Sequence, residues 1–139
     1  MTSLFNNIWS LSKLISCNLS NALLGSNFIS TIKTCSTSMK NLSLVAIPCD
    51  LNDLTNIFQY TPNLQRFRTT ISPYCQNQEL ETHIPSLKIF NVYSITSLKI
   101  LENMSNLRYL TIKTTNICLN GYDWETILIK NGICFSLSE

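Results

Sequence analysis

Leu107-Arg-Tyr-Leu110-Thr-Ile112 decides how this chain is read, because the same spacing of apolar residues occurs three more times upstream. The other copies are Met39-Lys-Asn-Leu42-Ser-Leu44, Leu64-Gln-Arg-Phe67-Arg-Thr69 and Leu87-Lys-Ile-Phe90-Asn-Val92, at steps of 25, 23 and 20 residues. Every copy is apolar at its first and fourth positions, and all but the second, which has Thr69, are apolar at the sixth. Successive side chains of an extended segment point to opposite faces, so positions 4 and 6 share one face while positions 3 and 5 share the other. The face of Leu42, Leu44, Phe67, Phe90, Val92, Leu110 and Ile112 is therefore the interior. The remainder of each period has room for a return segment, which predicts parallel strands side by side with their connections on one face.

The spacing L-x-x-L-x-L at this period is the leucine-rich-repeat form. The predicted fold class is α/β: a short leucine-rich-repeat solenoid, its parallel sheet on the concave side and helical or irregular return segments on the convex side. Residues 1–139 are expected to form one domain of four to five repeats. Residues 1–38 are a degenerate first part, with Leu11-Ser-Lys-Leu14-Ile-Ser16 as an earlier copy, and 39–119 hold the clearest repeats. Residues 120–139 supply a terminal helix and a last strand.

Three return segments carry helix signals. Asp50 is a candidate N-cap, Leu51, Leu54, Ile57 and Phe58 share a helical face, and Pro62 stops the helix. Ser94 to Met104 follows the same plan, with Ser94, Thr96 or Ser97 as cap and Leu98, Leu101 and Met104 as face. A third helix opens at Asn120-Gly-Tyr-Asp-Trp124-Glu125, with Gly132 as its stop. Ser72 to Ser86, bracketed by Pro73 and Pro85, reads as an irregular connector.

Composition excludes several classes. Charged residues make up 13%, about half the usual share. The net charge of +2 does not imply nucleic acid. With 3 glycines there is no Gly-rich phosphate loop. No apolar run reaches the roughly 18–20 residues that span a bilayer, and the amino terminus lacks the pattern of a secretory signal. No membrane association is expected, and the location is intracellular, cytoplasmic or nuclear. The six cysteines, 17, 35, 49, 75, 118 and 134, include no C-x-x-C pair. They are expected to be small, buried and reduced, the competing reading being a disulfide set. No metal or cofactor set is visible. The sequons at Asn18, Asn41 and Asn103 read as chance in an Asn- and Ser-rich chain.

The outward positions hold the sharpest chemistry. Positions 2, 3 and 5 carry Lys40, Arg66, Arg68, Lys88 and Arg108, five of the ten basic residues, and no acidic one. Lys113 follows at position 7, and Tyr93 and Tyr109 lie alongside. Stacked strands are about 4.8 Å apart, which predicts a basic patch able to dock an acidic or phosphorylated protein segment, with Arg66 and Arg68 as bidentate oxyanion binders. The competing reading is a solvated face whose cations provide solubility. No catalytic residue is expected, and the chain is not read as an enzyme. His83 is the lone histidine, and with Glu79 and Glu81 it lies in the connector, where nothing positions a nucleophile. Trp9 and Trp124 sit on apolar faces and read as packing residues.

Further stretches narrow the resemblance. Ile8-Trp-Ser-Leu11-Ser-Lys-Leu14-Ile-Ser-Cys17 resembles the I-W-S-L-P-x-L-x-x-C stretch of F-box-like leucine-rich-repeat proteins. Leu51-Asn-Asp-Leu54, continuing to Thr61-Pro-Asn-Leu64, is similar to their L-x-D-L and T-P-x-L unit. Leu101-Glu-Asn-Met104-Ser-Asn-Leu107 resembles L-x-x-M-P-N-L, with Ser105 in place of Pro. Leu119-Asn-Gly121-Tyr-Asp-Trp124-Glu125-Thr-Ile127 resembles D-G-x-x-W-E-x-I. The resemblance implies repeats that recognise a substrate protein and an amino-terminal F-box that docks a cullin-type ubiquitin-ligase adaptor. No F-box is read within the chain, so that adaptor is expected only where an F-box lies outside it. Both apolar ends read as cut surfaces of a longer solenoid. The alternative is a stand-alone or vestigial leucine-rich-repeat fragment with no ligase role.

Overall fold

A computed structural model describes residues 2–20, 29–71, 82–93, 98–113, 128 and 132–138. The architecture is α/β, built on a parallel sheet of six strands in sequence order. The strands are β1 (Ser16–Ser20), β2 (Asn41–Cys49), β3 (Arg66–Ile71), β4 (Ile89–Tyr93), β5 (Tyr109–Lys113) and β6 (Cys134–Ser138). Two α-helices, α1 (Thr2–Trp9) and α2 (Leu51–Tyr60), and two 3-10 turns, Ile29–Thr31 and Leu98–Asn103, complete the described elements.

Four strands hold the motif copies, and their fourth positions are in register: Leu42 against Phe67, Phe67 against Phe90, Phe90 against Leu110. The sheet continues past them on both sides. β1 pairs Cys17 with Leu42 and Leu19 with Leu44, so the first copy begins at Leu14, three residues later than Leu11. β6 pairs Cys134 with Tyr109, which puts Gly132 at the first motif position. Among the described residues six strands thus stand, and a fourth-position Cys and a first-position Gly blur the motif register of the outer two.

One main-chain device recurs along the sheet. The carbonyls of four second-position residues each accept from two amides at the start of the next copy: Ile15 from Lys40 and Asn41 at 2.8 and 3.0 Å, and Lys40 from Gln65 and Arg66 at 2.8 and 2.9 Å. Gln65 and Lys88 repeat the arrangement with Lys88 and Ile89, then Arg108 and Tyr109; Arg108 accepts from Cys134 at 2.8 Å. The residue before each copy adds a side-chain stitch. Ser38 and Ser86 hydroxyls donate to the Leu14 and Leu64 carbonyls at 2.9 and 2.8 Å, one turn back in the preceding copy. Asn63 and Asn106 amides, one atom longer in reach, donate to the Thr37 and Pro85 carbonyls at 2.8 and 2.6 Å. Otherwise unpaired turn carbonyls are satisfied in this way.

The core lies on the face of positions 4 and 6, where Phe67 and Phe90 are wholly buried. Their rings stack at 5.9 Å, and Phe58 of α2 meets Phe67 edge-on at 5.4 Å. Helix α2 buries Leu51, Leu54, Ile57 and Phe58, the face its spacing predicts. Asp50 caps it, and the cap is reciprocal: the Asp53 amide donates to Asp50 Oδ1 at 2.8 Å and the Asp50 amide to Asp53 Oδ2 at 3.0 Å. Partial burial holds the Asp53 carboxyl above its ordinary 3.8, and the Asp50 charge adds to this. The folded chain therefore takes up this proton at higher pH than the unfolded chain, and stability from this group rises as pH falls through the folded value toward 3.8. Asp53→Asn keeps an acceptor for the Asp50 amide but removes that titration. Urea midpoints of variant and wild type should diverge in favour of wild type as pH is lowered from 7, and parallel curves would refute the assignment.

Several predicted elements differ in detail. The helix predicted over Ser94–Met104 is a 3-10 turn over Leu98–Asn103, with Leu101 and Met104 buried; Ser94 to Ser97 lie outside the described residues. The step from Leu87 to Leu107 is 20 residues, against 25 from Met39 to Leu64. A 3-10 turn rises about 2.0 Å per residue where an α-helix rises about 1.5 Å, so fewer residues cover the span. The bulk of the connector 72–86 and of the terminal helix is also outside the described residues, Trp124 included. The stop at Gly132 is described. Its φ is +62°, and the Ile133 amide donates to the Leu128 carbonyl at 3.0 Å, the six-to-one closure of a helix end.

Thr69, the odd residue at position 6, is buried and has a specific partner. Its hydroxyl donates to Cys49 Sγ at 3.2 Å. Cys49 arrives there because the register between β2 and β3 shifts: Ser43 pairs with Arg68 and Pro48 with Thr70, leaving Leu44 to Ile47 opposite Thr69. The excursion turns at Ala46, which has a left-handed φ of 59° and is exposed. Such a conformation costs an L-residue with a Cβ about 1–2 kcal/mol. Ala46→Gly is therefore expected to stabilise the chain by about 0.5–1 kcal/mol after the entropy of the unfolded glycine is subtracted; a lower urea midpoint would contradict this.

The amino-terminal segment is tied in. Trp9 is buried, and Asn6 of α1 bonds the Thr31 carbonyl at 3.1 Å and the Lys33 amide at 2.9 Å. The cysteines correct the expectation of uniform burial. Among the four described, Cys49 alone is buried; Cys17 is half-buried, with its thiol pushed up by burial, and Cys35 and Cys134 are exposed. Cys134 falls on the outward third position, where the pleat turns a side chain to solvent.

Candidate functional site

The face opposite the core is ordered in rows by the strand register. The third-position row runs Ser16, Asn41, Arg66, Ile89, Tyr109 and Cys134. The fifth-position row runs Asn18, Ser43, Arg68, Asn91, Thr111 and Ser136. Every residue in both rows is exposed or half-buried, and none is a carboxylate. Beyond them, Tyr93 sits between Thr70 and Lys113.

Three predicted residues meet at one end of this face. The Arg68 guanidinium donates through Nη2 to the Tyr93 hydroxyl, and its Cζ lies 5.2 Å from the centre of that ring. Lys113 Nζ approaches the same ring from the neighbouring strand, 5.5 Å from its centre. Register explains the geometry: Tyr93 is directly opposite Lys113 and one diagonal step from Arg68, within reach of long side chains. Both distances are in the cation–π range. The Arg68 hydrogen bond, with the two nearby positive charges, holds the Tyr93 phenol below its ordinary 10.0. Arg68, Tyr93 and Lys113, with Asn91 and Thr111, line a hollow of about 280 Å³.

A second hollow, about 390 Å³, lies next to it. Arg66 and Arg68 line it with Asn18, Asn41 and Ser43, and Arg68 and Asn91 belong to both hollows. The two adjoin at these residues and together make a polar trough along β1 to β5. Arg66 is exposed at its rim, whereas Arg68 is half-buried between neighbouring strands.

The other predicted residues stand apart from this cluster. Lys40, Lys88 and Arg108 occupy second positions immediately before their strands and are exposed, a row along the rim. Arg108 and Tyr109 line a separate hollow of about 390 Å³ beside Gly132 and Cys134. Tyr109, 54% exposed, is an open aromatic surface and does not join Tyr93. His83 is exposed in a loop, with Nε2 3.3 Å from Ser105 Oγ. Glu79 and Glu81 lie outside the described residues. Among the described residues no group of three His, Cys, Asp or Glu side chains could hold a metal ion, and no helix is long and apolar enough to cross a membrane.

Neutral lining residues are what position-by-position reading undervalues. Asn41, Ser43, Asn91 and Thr111 are legible as outward positions, but nothing in one strand shows that they floor a trough. Asn18 is hidden by the three-residue slip of the first copy. The available signal was the step: Leu14 to Met39 is 25 residues, equal to Met39 to Leu64. In comparisons with known proteins, no family model, no curated protein and no solved structure matches the chain.

Proposed function

We propose that this chain is a non-catalytic protein-recognition module, a short leucine-rich-repeat solenoid that docks an acidic or phosphorylated segment of a protein partner on its concave sheet face. The observation that carries the reading is the trough itself. Arg66 and Arg68 stand in rows that contain no carboxylate, Lys113 meets Arg68 at Tyr93, and uncharged Asn, Ser and Thr lie among them. Cations with no counter-charge among the described residues of these rows, on a polar floor, favour an anionic ligand. The solenoid reading is supported by the sequential parallel order and by the second-position carbonyls that repeat from strand to strand.

Within an F-box-like protein, this face would be the substrate-recognition surface, and a cullin-type adaptor would be engaged through an F-box outside these residues. The location proposed with it is intracellular. Charge reversal at Arg66 and Arg68 tests the docking face: capture of the partner is lost while the thermal melt stays in place. The ligase link is tested independently by co-purifying the adaptor with the full-length protein; absence of the adaptor retires that link and leaves the docking face standing.

A further inference from the structure

We propose that the hollow between Arg68 and Lys113 is a phosphate pocket, which receives the phosphoryl group of a phosphorylated segment laid across the strands. The inference rests on the docking reading above and names the chemistry of its partner. Two cations approach one aromatic ring at 5.2 and 5.5 Å from strands on either side of it. Both are positively charged, and no carboxylate among the described residues of the two outward rows offsets them. A dianion in the hollow that both line gains charge-assisted bonds from each.

The rest of the pocket suits a phosphoryl group. Arg68 is held by its bond to the Tyr93 hydroxyl, so its guanidinium is oriented before ligand arrives and less side-chain freedom is lost on binding. Asn91 and Thr111, adjacent in the fifth-position row, provide donors on the floor. A volume of about 280 Å³ is small for a folded element and ample for a phosphoryl group with the side chain that bears it. The trough continues past Arg68 toward Asn41 and Asn18, a row of amide and hydroxyl groups that fits the backbone of an extended peptide.

The test uses the full chain at constant ionic strength. Inorganic phosphate, a short alanine-rich peptide with one phosphoserine, and the same peptide unphosphorylated are titrated in turn. Binding is followed by amide chemical shifts and by phenolate absorbance, with Tyr93→Phe identifying the share of Tyr93. The phosphopeptide should bind more tightly than inorganic phosphate, and the unphosphorylated peptide should not bind. A bound dianion counters the two cations, so the Tyr93 titration should move back upward. Lys113→Gln, an exposed change, should weaken phosphopeptide binding about tenfold, the equivalent of one charge-assisted hydrogen bond. Lys33→Gln, an exposed lysine elsewhere, should leave it unchanged.

Shifts no larger than those from chloride, an unmoved Tyr93 titration, or full binding in Lys113→Gln would each overturn the pocket. Free phosphate binding as tightly as the phosphopeptide would overturn the segment as its occupant. The two readings fail differently. If charge reversal at Arg66 and Arg68 abolishes partner capture while Lys113→Gln binds phosphopeptide normally, the docking face stands and the pocket falls. If Lys113→Gln loses phosphopeptide while partner capture ignores Arg66 and Arg68, the pocket stands and the docking reading falls.

Discussion

Replacing Phe67 with alanine is expected to remove about 3–5 kcal/mol of stability, the range for deleting a fully buried aromatic ring. Domains of this size have roughly 5–15 kcal/mol in total, so the variant should be near its unfolding midpoint or past it at ambient temperature. The position is central in two senses. Phe67 is the fourth motif position and lies on the third strand, paired on both sides, and its ring centre is 5.4 Å from that of Phe58 of α2 and 5.9 Å from that of Phe90 of β4. Its removal therefore opens a cavity where the sheet meets the helix and breaks an aromatic series, and neighbours held by strand pairing cannot collapse into the space. Phe67→Leu fills most of the volume and should cost well under half as much. Urea unfolding by circular dichroism measures both; a loss below about 1 kcal/mol for the alanine variant would refute the central role.

Arg66→Glu combined with Arg68→Glu is expected to abolish capture of the partner and to leave the melt within about 1 kcal/mol of wild type. Both side chains are on the solvent face, and the core beneath them is untouched. The substitution removes two positive charges and adds two negative ones within the trough, so an anionic segment that was attracted is repelled. Arg68→Glu also breaks the hydrogen bond to Tyr93, which frees the phenol from its main acidifying partner. The Tyr93 titration should then move upward in the unliganded variant, a signal that reports the site even before a partner is in hand. Capture that survives the double reversal, measured on the folded variant, would mean that the face only solvates the sheet.

These two expectations draw on different kinds of information. The burial of Phe67 is legible in one dimension. Apolar residues at positions 4 and 6 of a strand must share a face, whatever the strand pairs with. The same local logic finds α2: Asp50 precedes an apolar face at helical spacing and Pro62 follows it, and the helix runs over Leu51–Tyr60 with that face buried. It also finds Gly132 as a helix stop, because only a residue without a Cβ takes its left-handed φ at no steric cost. Where local signals weaken, legibility ends. Cys17 and Gly132 at motif positions blur the register of the outer strands, and no local rule turns the helix expected near Leu98 into a 3-10 turn.

The amino-acid sequence by itself determined the repeat, the buried face, the cap of α2 and which residues turn outward. Each of these follows from the geometry of a few consecutive residues. Only the tertiary structure decided the rest: the excursion at Ala46 that brings Cys49 to the Thr69 hydroxyl, and the trough that joins Asn18 to Arg68. It also decided that, of the predicted cations, Arg68 and Lys113 converge on Tyr93 while Arg108 joins Tyr109 elsewhere. The reason is physical. A side chain's outward direction is set by its own backbone, but its neighbours are set by strand register between segments 20–25 residues apart, and a slip of a single residue would exchange every partner.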